Sequence, residues 1–507
     1  MRRTLLWIAL GTALLSMTSC KREQPRDTAI LLIESSPTSL DPRVGTDAQS
    51  EHIDELIFDA LVERGKDYNF RPGLATRWEW LNDRTLLFHL RDGVRFHDGR
   101  RFTSADVKST LDSLRDGSIA SPKSGSYVNV ESIDAPDPLT VVLHLKQPDN
   151  TLLASLSSGA IGIVPAGSGR DFWQHPIGTG PYRFVRQEVD KEIELERFQD
   201  AWEGAPNLAR LRFSVVPDAI TRTLELEKGS ADAAVNAIPA DAVASLRTKP
   251  GIAVESAPGT VVNYLGFSMR DPILKDVRVR QAIAYAMNRQ QMIDALLHGQ
   301  ARIADGLLPR EHWASEVNVP HYNFDPARAD VLLDAAGYKR DARGVRFHLT
   351  LKTSTDETTR LLAMVLQQQM RAVGIELELR SFEFATFYSD VTRGAFQMYA
   401  LRWVGGNEQP DILSYAFASN HIPPKGANRG YYSNPEVDRL LFEAGTTVDQ
   451  KQQTIAYKAA QRILAVELPE LPLWYMNSVV VHRTRLTGVE ATSSGNFDFL
   501  RHAELHP

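Results

Sequence analysis

Cysteine is nearly absent from this chain of 507 residues, in which Cys20 is the only one. A single thiol excludes an internal disulfide framework and any zinc site built from Cys-x-x-Cys motifs. A basic excess is also missing, since 57 lysines and arginines are outnumbered by 63 aspartates and glutamates, for a net charge of −6. Nucleic-acid-binding proteins usually carry a basic excess or basic–aromatic clusters, so we expect no nucleic-acid partner.

Long hydrophobic runs are missing too, and the N-terminus instead has the features of a secretory signal. Two arginines precede an apolar run over residues 5–15, and small residues then lead to Cys20. The run is shorter than the ~20 residues that span a bilayer, which predicts a signal peptide over residues 1–19. Because Cys20 directly follows the small residues, the segment resembles a bacterial lipobox, implying acylation of Cys20 and a tether over residues 20–27. A cleaved signal with an incidental cysteine is the alternative.

The common catalytic motifs are absent from the sequence. It contains no nucleophile elbow, no His-Glu-x-x-His motif and no glycine-rich phosphate loop. The 13 histidines are scattered, and no carboxylate pair is marked by its spacing. We therefore expect no catalytic residues, no metal site and no cofactor. A hydrolase with an unmarked site is the weaker alternative.

The stretch from Val261 to Gly299 predicts a strand followed by one helix. The strand is the short apolar run over residues 261–267. Apolar residues then recur at helical spacing between Val279 and Leu297. Asp276 is the expected N-cap, and Gly299 is expected to end the helix in the left-handed conformation.

Strands and helices alternate after this stretch. Asp325 is the expected N-cap of one helix, and the alternating strands over 347–351 and 375–379 flank a helix over 361–370 that ends at Gly374. A strand, a helix and a strand of these lengths favour a right-handed βαβ unit with parallel strands. This part of the chain therefore belongs to the α/β class.

Several segments carry a resemblance to a known family; they are Ser39–Pro42, Asp92–Val107, Pro176–Phe184, Tyr264–Phe267 and Asp276–Arg289. Together they resemble the family-5 extracellular solute-binding proteins, which are the peptide, dipeptide and nickel receptors of bacterial ABC importers. The resemblance extends to most of the chain. It implies a two-lobe periplasmic-binding-protein fold of the large three-domain type, with a hinge between the lobes.

The resemblance also implies a division of the chain into domains. Domain I would comprise residues 28–61, 177–264 and 477–507, domain II would be an insertion over 62–176, and domain III, the second lobe, would cover 265–476. Crossings near Tyr264–Phe267 and Tyr475–Ser478 would form the hinge. Closure about this hinge would bury a ligand between the lobes.

A candidate ligand site follows the predicted strand over residues 396–401, at a strand end where open α/β sheets bind ligands. In peptide-binding relatives the matching stretch has a tryptophan, matched here by Trp403, and an aspartate that pairs with the ammonium of the peptide. Gly406 occupies the position of that aspartate. The ligand-binding residues that the resemblance implies are Ser35, Tyr264, Gly266, Phe267, Arg402, Trp403, Gly405, Gly406, Asn407 and Asp411.

Gly406 leaves a ligand amine without its usual partner, and a buried ammonium without a carboxylate costs several kcal/mol. Either Glu408 or Asp411 supplies the charge, or the ligand lacks an amine held in this way. We expect strand-like hydrogen bonds to a peptide from Tyr264–Phe267 and from the glycine loop, with Trp403 over an apolar side chain. Free and N-acetylated peptides would then be weakly discriminated.

The expected function is capture of a small solute, in the first place a peptide, and its delivery to the permease subunits of an ABC transporter. The protein would be a monomer, lipid-anchored on the periplasmic or extracellular face of a bacterial membrane. An exported lipoprotein that acts as a ligand sensor or chaperone on the same fold is the main alternative. The sequence leaves open whether the ligand is a dipeptide, an oligopeptide, a sugar or a metal chelate, and whether the membrane is inner or outer.

Overall fold

The computed structural model of the protein describes residues 27–405 and 408–506. The predicted signal peptide, Cys20 and the tether as far as residue 26 lie outside the described residues, as do Gly406 and Asn407. Among the described residues, no helix is both long enough and apolar enough to cross a membrane.

The first lobe is built on strands that flank β1. Its elements are β1 (Thr28–Ile33), α1 (Ala48–Ile57), β8 (Tyr182–Glu188), β9 (Glu192–Arg197), β10 (Arg210–Val215), α4 (Ala219–Lys228), β11 (Ala233–Val235), α5 (Ala240–Leu246), β18 (Leu486–Thr487) and β19 (Glu504–Leu505). Strand β1 is buried along its whole length and pairs in parallel with β10 and with β11. Burial on both faces explains its continuous run of apolar residues.

The chain over residues 62–155 has a sheet of its own, and this part is called the insertion below. Its elements are β2 (Val62–Arg64), β3 (Phe70–Pro72), β4 (Ala75–Asn82), β5 (Thr85–Leu90), α2 (Ser104–Arg115), β6 (Val130–Asp137), β7 (Thr140–Leu145) and α3 (Leu152–Ser155). The main sheet is antiparallel in the order β4-β5-β7-β6. Helix α2 begins with the capping box between Thr103 and Asp106.

The second lobe is α/β. Its elements are α6 (Val277–Tyr285), α7 (Arg289–Leu296), β13 (Ala301–Ile303), α8 (Pro326–Ala335), β14 (Phe347–Ser354), α9 (Glu357–Ala372), β15 (Ile375–Phe382), α10 (Phe384–Thr392), β16 (Met398–Trp403), α11 (Ile412–Phe417), α12 (Pro435–Thr446) and α13 (Gln450–Glu467). Strands β14 and β15 pair in parallel around α9. The predicted parallel βαβ unit is therefore confirmed.

Two long strands, β12 (Ile252–Phe267) and β17 (Glu470–Arg483), join the lobes into one sheet in the order β15-β14-β16-β12-β17-β11-β1-β10-β9-β8. They pair antiparallel, and their register shifts twice, between Pro258 and Val262, opposite residues 475–477, and between Asn263 and Tyr264. The two apolar runs over residues 471–475 and 479–481 both belong to the one continuous strand β17. A Cβ at Gly259 would lie 2.3 Å from the carbonyl oxygen of Met476, so this bulge needs a residue without a side chain.

The single helix predicted between Val279 and Leu297 is wrong, because the structure has two helices, α6 and α7, at this place. Asn288 separates them: its backbone leaves the helical region at φ −86°, ψ 76°, and its side chain accepts a hydrogen bond from the amide of Gln291. Asparagine favours such an N-cap over a helix interior. The expected caps Asp276 and Asp325 are confirmed by their side-chain bonds to the amides of residues 278 and 328.

The segment Ile177–Pro181 packs its glycines against the C-terminal end of α1. The amide of Gly180 donates to the carbonyl of Ile57 at 2.9 Å. A Cβ at Gly178 would lie 1.9 Å from the same carbonyl oxygen. Backbone therefore touches backbone here, which glycine permits because it has no side chain.

We expect Gly178→Ala to lower the free energy of unfolding by about 3 kcal/mol or more, because the added methyl group overlaps a backbone atom that cannot rotate away. The midpoint of urea unfolding measures the effect. Gly125→Ala is the matched control, since a Cβ there meets no described atom within 4 Å. Equal midpoints for the two variants would contradict the close contact.

Candidate functional site

Trp403, the last residue of β16, is fixed beneath the loop over residues 404–411. Its ring stacks on that of Tyr264 with centroids 5.7 Å apart, and its Nε1–H donates to Oε2 of Glu470 at 3.2 Å. Only 8% of the residue is exposed. Trp403 is thus held by the buried residues Tyr264 and Glu470, and its contact with a ligand side chain stays a prediction.

Tyr264, Gly266 and Phe267 also lie in the interior. Their strand pairs with β16 on one side and, over residues 262–266, with β17 on the other. A Cβ at Gly266 would lie 2.2 Å from the ring of Tyr399, so this glycine makes room for a protein side chain. The strand-like bonds to a peptide expected from this segment have no free strand edge among the described residues, because neighbouring strands already use its backbone groups.

A buried polar network supports the base of the loop. Glu470, which is 7% exposed, accepts from the hydroxyl of Tyr399 at 3.4 Å as well as from Trp403. Arg429 donates to the hydroxyl of Tyr264 at 3.0 Å and lies 4.9 Å from the centre of the Trp403 ring. Burial raises the pKa of Glu470 to about 7, although Arg429 opposes the rise. These bonds fix where the loop leaves the sheet.

Glu408 links the loop to the insertion. Its carboxylate forms an ion pair with Arg64 on β2 and accepts from the hydroxyl of Thr260 at 3.3 Å. Arg64 also donates to the hydroxyl of Ser157 at 3.3 Å. The ion pair is largely buried, with 20% of the Arg64 side chain and 12% of the Glu408 side chain exposed. The charge of Glu408 is therefore already matched by a protein cation.

Further contacts join the insertion to the second lobe. Asn150 donates to the carbonyl of Ala444 at 2.9 Å and to the hydroxyl of Tyr457 at 3.2 Å. The rings of Tyr68 and His312 stack with centroids 5.1 Å apart. Together with the Arg64–Glu408 pair, these contacts show the two lobes closed on one another.

A cavity of about 260 Å³ lies between the insertion and the second lobe. The insertion forms one side of the cavity and the second lobe forms the other. The aromatic lining residues are Phe70, Trp78 and Trp80 of the insertion and Trp313 and Tyr457 of the second lobe. Gln409, Pro410 and Asp411 bring the end of the loop into the same wall. An aromatic cavity with a few polar groups suits a ligand with an apolar part and a hydrogen-bonding part.

Two polar side chains of the loop line this cavity. The Nε2 of Gln409 is buried and has no hydrogen-bond partner among the described residues. Burial raises the pKa of Asp411 to about 6, and the charge of Asp149 adds to the rise. A donor without a partner beside a carboxyl group is a suitable pair for a polar ligand group.

The other predicted site residues that the structure describes lie at the surface. Ser35 follows β1 and is exposed, and so is Arg402 on β16. Gly405 adopts φ +78° with no described neighbour near its Cβ position, so it serves the turn of the loop. Of the predicted set, the structure brings Asp411 into the cavity and places Trp403 beneath the loop.

A sequence profile described as bacterial extracellular solute-binding proteins, family 5 Middle, matches residues 69–423. The chain belongs to this family. Family 5 members are periplasmic or extracellular binding proteins that deliver small ligands or peptides to ABC transporter permeases, and they are not enzymes. The predicted family, the two-lobe α/β fold and the general function are thereby confirmed.

Curated relatives and solved structures agree with this membership. The glutathione-binding protein GsiB of Escherichia coli O1:K1 is 29% identical over 505 residues, which cover 97% of each chain. HbpA2 of Haemophilus parasuis superposes with a TM-score of 0.84 at 24% identity, over 95% of this chain and 100% of the other. CtaP of Listeria monocytogenes superposes with a TM-score of 0.83 at 23% identity, over 95% of this chain and 99% of the other.

The cavity residues of the insertion were missed from the sequence, although Trp78 and Trp80 carried a signal. Two tryptophans at alternate positions of a strand lie on one face of it, and here both are half-buried while Arg77, Glu79 and Leu81 are exposed. They pair with Phe88 and Leu86, so they lie on the face that packs on the insertion's own core, and the cavity adjoins their partly exposed rings. Trp313 and Tyr457 carry no comparable local signal.

We expect the free energy of unfolding of Glu470→Gln, relative to that of the wild type, to be higher at pH 8 than at pH 5. Because the folded pKa of about 7 exceeds the ordinary value of 4.5, the wild type loses stability as the pH rises between these values. The loss reaches about 3 kcal/mol for this group, and the amide still accepts from Trp403. Urea unfolding at both pH values measures it, with the exposed Glu357→Gln as control. A variant with the same pH dependence as the wild type would contradict the assignment.

Proposed function

We propose that the protein captures a peptide-like solute between its lobes, and that the aromatic cavity receives an apolar part of that solute. The supporting observation is the cavity itself, whose walls come from two bodies and exist together only when the lobes meet. Its volume of about 260 Å³ accommodates a side chain of aromatic size rather than a whole oligopeptide. Glutathione, which the GsiB relatives bind by name, is the first small peptide to test.

We propose that the hinge lies where β12 and β17 change register, between Pro258 and Val262 and at residues 475–477. The predicted division into domains 28–61 with 177–264 and 477–507, 62–176, and 265–476 goes with this hinge. It is supported by separate buried clusters, such as the one of Leu61 to Ile163 around the insertion and the one of Leu265 to Trp474 in the second lobe. Each body can then move as a unit.

We expect glutathione or tri-alanine to lower the radius of gyration measured by small-angle X-ray scattering, because the ligand favours the closed state. Replacing both charges, Arg64→Gln with Glu408→Gln, should raise the ligand concentration needed for closure about tenfold, since the closed state loses its ion pair without leaving either charge unpaired. Glu357→Gln is the matched control. A radius that no peptide changes, in a protein that calorimetry also shows not to bind, would refute peptide capture.

We further propose that the mature protein is a monomer anchored through acylated Cys20. Cys20→Ser should abolish acylation and move the protein from the membrane fraction to the soluble fraction, because the anchor is then missing. Mass spectrometry of the N-terminal peptide and immunoblots of both fractions measure this. Replacing the nearby Ser19 with Ala, which keeps a small residue before the cysteine, is the control and should leave the protein anchored. Lipidation of the Cys20→Ser variant would exclude the lipobox.

A further inference from the structure

A second, smaller cavity lies beneath α1, where the helix meets the insertion. Its volume is about 20 Å³, and three acidic residues of α1, namely Glu51, Asp54 and Glu55, line it together with Lys123. Residues three and four positions apart lie on the same face of a helix, so the three carboxylates point to one region. The cavity has room for a water-sized group or for the tip of a ligand side chain.

Asp54 is the central observation. It is 6% exposed, yet neither of its carboxylate oxygens has a hydrogen-bond partner among the described residues. Oε2 of Glu55 is also buried without a partner in this part of the chain. Buried carboxylates in proteins are nearly always paired or hydrogen-bonded, since leaving them unpaired is costly. The cavity therefore contains acceptor atoms that the described part of the protein leaves unused.

The hydrogen bonds of Lys123 do not go to these acceptor atoms. Its ammonium group donates to the carbonyls of Pro42 and Ala160, each at 2.9 Å. Among the described residues that line the cavity, it is the only cation beside three carboxyl groups. The balance of charge around the cavity therefore favours one further positive group.

Burial favours the protonated form of the three carboxyl groups. Burial raises the pKa of Glu51 to about 7 and that of Glu55 to about 8, and it holds the pKa of Asp54 well above its usual range. The charged groups that act on them from surrounding elements are Asp41, Asp47, Arg64, Lys123, Glu408, Asp498 and Arg501. A cation entering the cavity would favour the ionised carboxylates and displace these protons.

The α1 cavity is close to the loop of the second lobe, because Ser158 lines the cavity and the adjacent Ser157 accepts a hydrogen bond from Arg64, the ion-pair partner of Glu408. Glu408 and Asp411, the two residues that could supply the carboxylate missing at Gly406, are placed differently. Glu408 is paired with Arg64, and Asp411 lines the aromatic cavity. The carboxylates of α1 are thus acidic groups near the loop whose charge no cation among the described lining residues fully matches, and they outnumber the single carboxyl group of Asp411 in the aromatic cavity.

We infer that Glu51, Asp54 and Glu55 form the site that receives the positively charged group of the solute, an ammonium or a guanidinium, in place of the carboxylate that the loop lacks at Gly406. The inference rests on the proposed capture of a peptide-like solute and assigns the end of the cleft at which its charge is held. It reverses the expectation of weak discrimination, which considered the loop alone. Free peptides should bind more tightly than acetylated ones.

Calorimetry with tri-alanine and N-acetyl-tri-alanine tests the site on the whole mature protein. We expect the free amine to bind at least about tenfold more tightly in the wild type, because it pairs with carboxylates that otherwise stay buried and unpaired. Asp54→Asn, which keeps the shape of the side chain, should remove most of this preference and leave the affinity for the acetylated peptide unchanged. Glu51→Gln, at a half-exposed position, is the second variant, and Glu357→Gln is the matched control.

Proton release provides an independent measurement. At pH 6.5, binding of the free peptide should release protons from the α1 carboxyl groups, seen as a binding enthalpy that depends on the ionisation enthalpy of the buffer. The acetylated peptide should release none, and Asp54→Asn should release fewer with the free peptide. A merely structural role of Asp54 would not change this difference.

Each outcome decides the question. Equal affinities of the two peptides for the wild type overturn the inference and leave peptide capture intact. A preference that persists in both Asp54→Asn and Glu51→Gln also overturns it, and places the cation elsewhere in the cleft. If neither peptide binds and scattering shows no closure, peptide capture itself fails and the inference fails with it.

Discussion

The antiparallel pairing of β12 with β17 is the constraint on which the rest of the structure depends. Both strands run through both lobes, so every other strand of the main sheet is placed by its distance from this pair. Continuous pairing would make the sheet stiff. Two register shifts interrupt it, one opposite residues 475–477, where Gly259 lets the two backbones approach, and one between Asn263 and Tyr264. Because both interruptions lie within residues 258–264 of β12, bending of the sheet is confined to this segment.

The polar network around Glu470 has a comparable role for the ligand loop. A buried carboxyl group that accepts from Trp403 and Tyr399 specifies one orientation for both aromatic rings. Because Trp403 ends β16, the direction in which the loop leaves the sheet is specified with it. Burial raises the pKa of Glu470 although Arg429, Trp403 and Tyr399 oppose the rise, and this burial of a carboxyl group is the energetic cost of the specificity. The core of the second lobe thus positions a loop whose contacts lie in the other bodies.

Local signals predicted much of the fold and less of the site. The caps Asp276 and Asp325 and the βαβ unit depend on neighbouring residues or on periodicity, and the structure confirms them. The break at Asn288 was missed because apolar spacing continues through it while a polar cap interrupts the backbone. The cavity walls come from residues far apart in the chain, such as Trp78 and Trp313, which only the tertiary fold brings together. Neither propensity nor spacing reports such a meeting.

The two cavities differ in how they depend on closure, and this difference bears on selectivity. The aromatic cavity has walls on both sides of the interface between the lobes, so it is complete only in the closed state. The acidic cavity is lined by α1 with its flanking segments and by the insertion, and it is therefore present before the lobes meet. If the acidic cavity holds the charge of a solute as we infer, the open protein already binds the cationic end of that solute. The aromatic cavity then binds the apolar part only when the lobes close. A solute without the charge would bind only the closed state, so its binding would have to supply the whole free energy of closure. Its apparent affinity is then reduced in proportion to the fraction of protein that is closed without ligand.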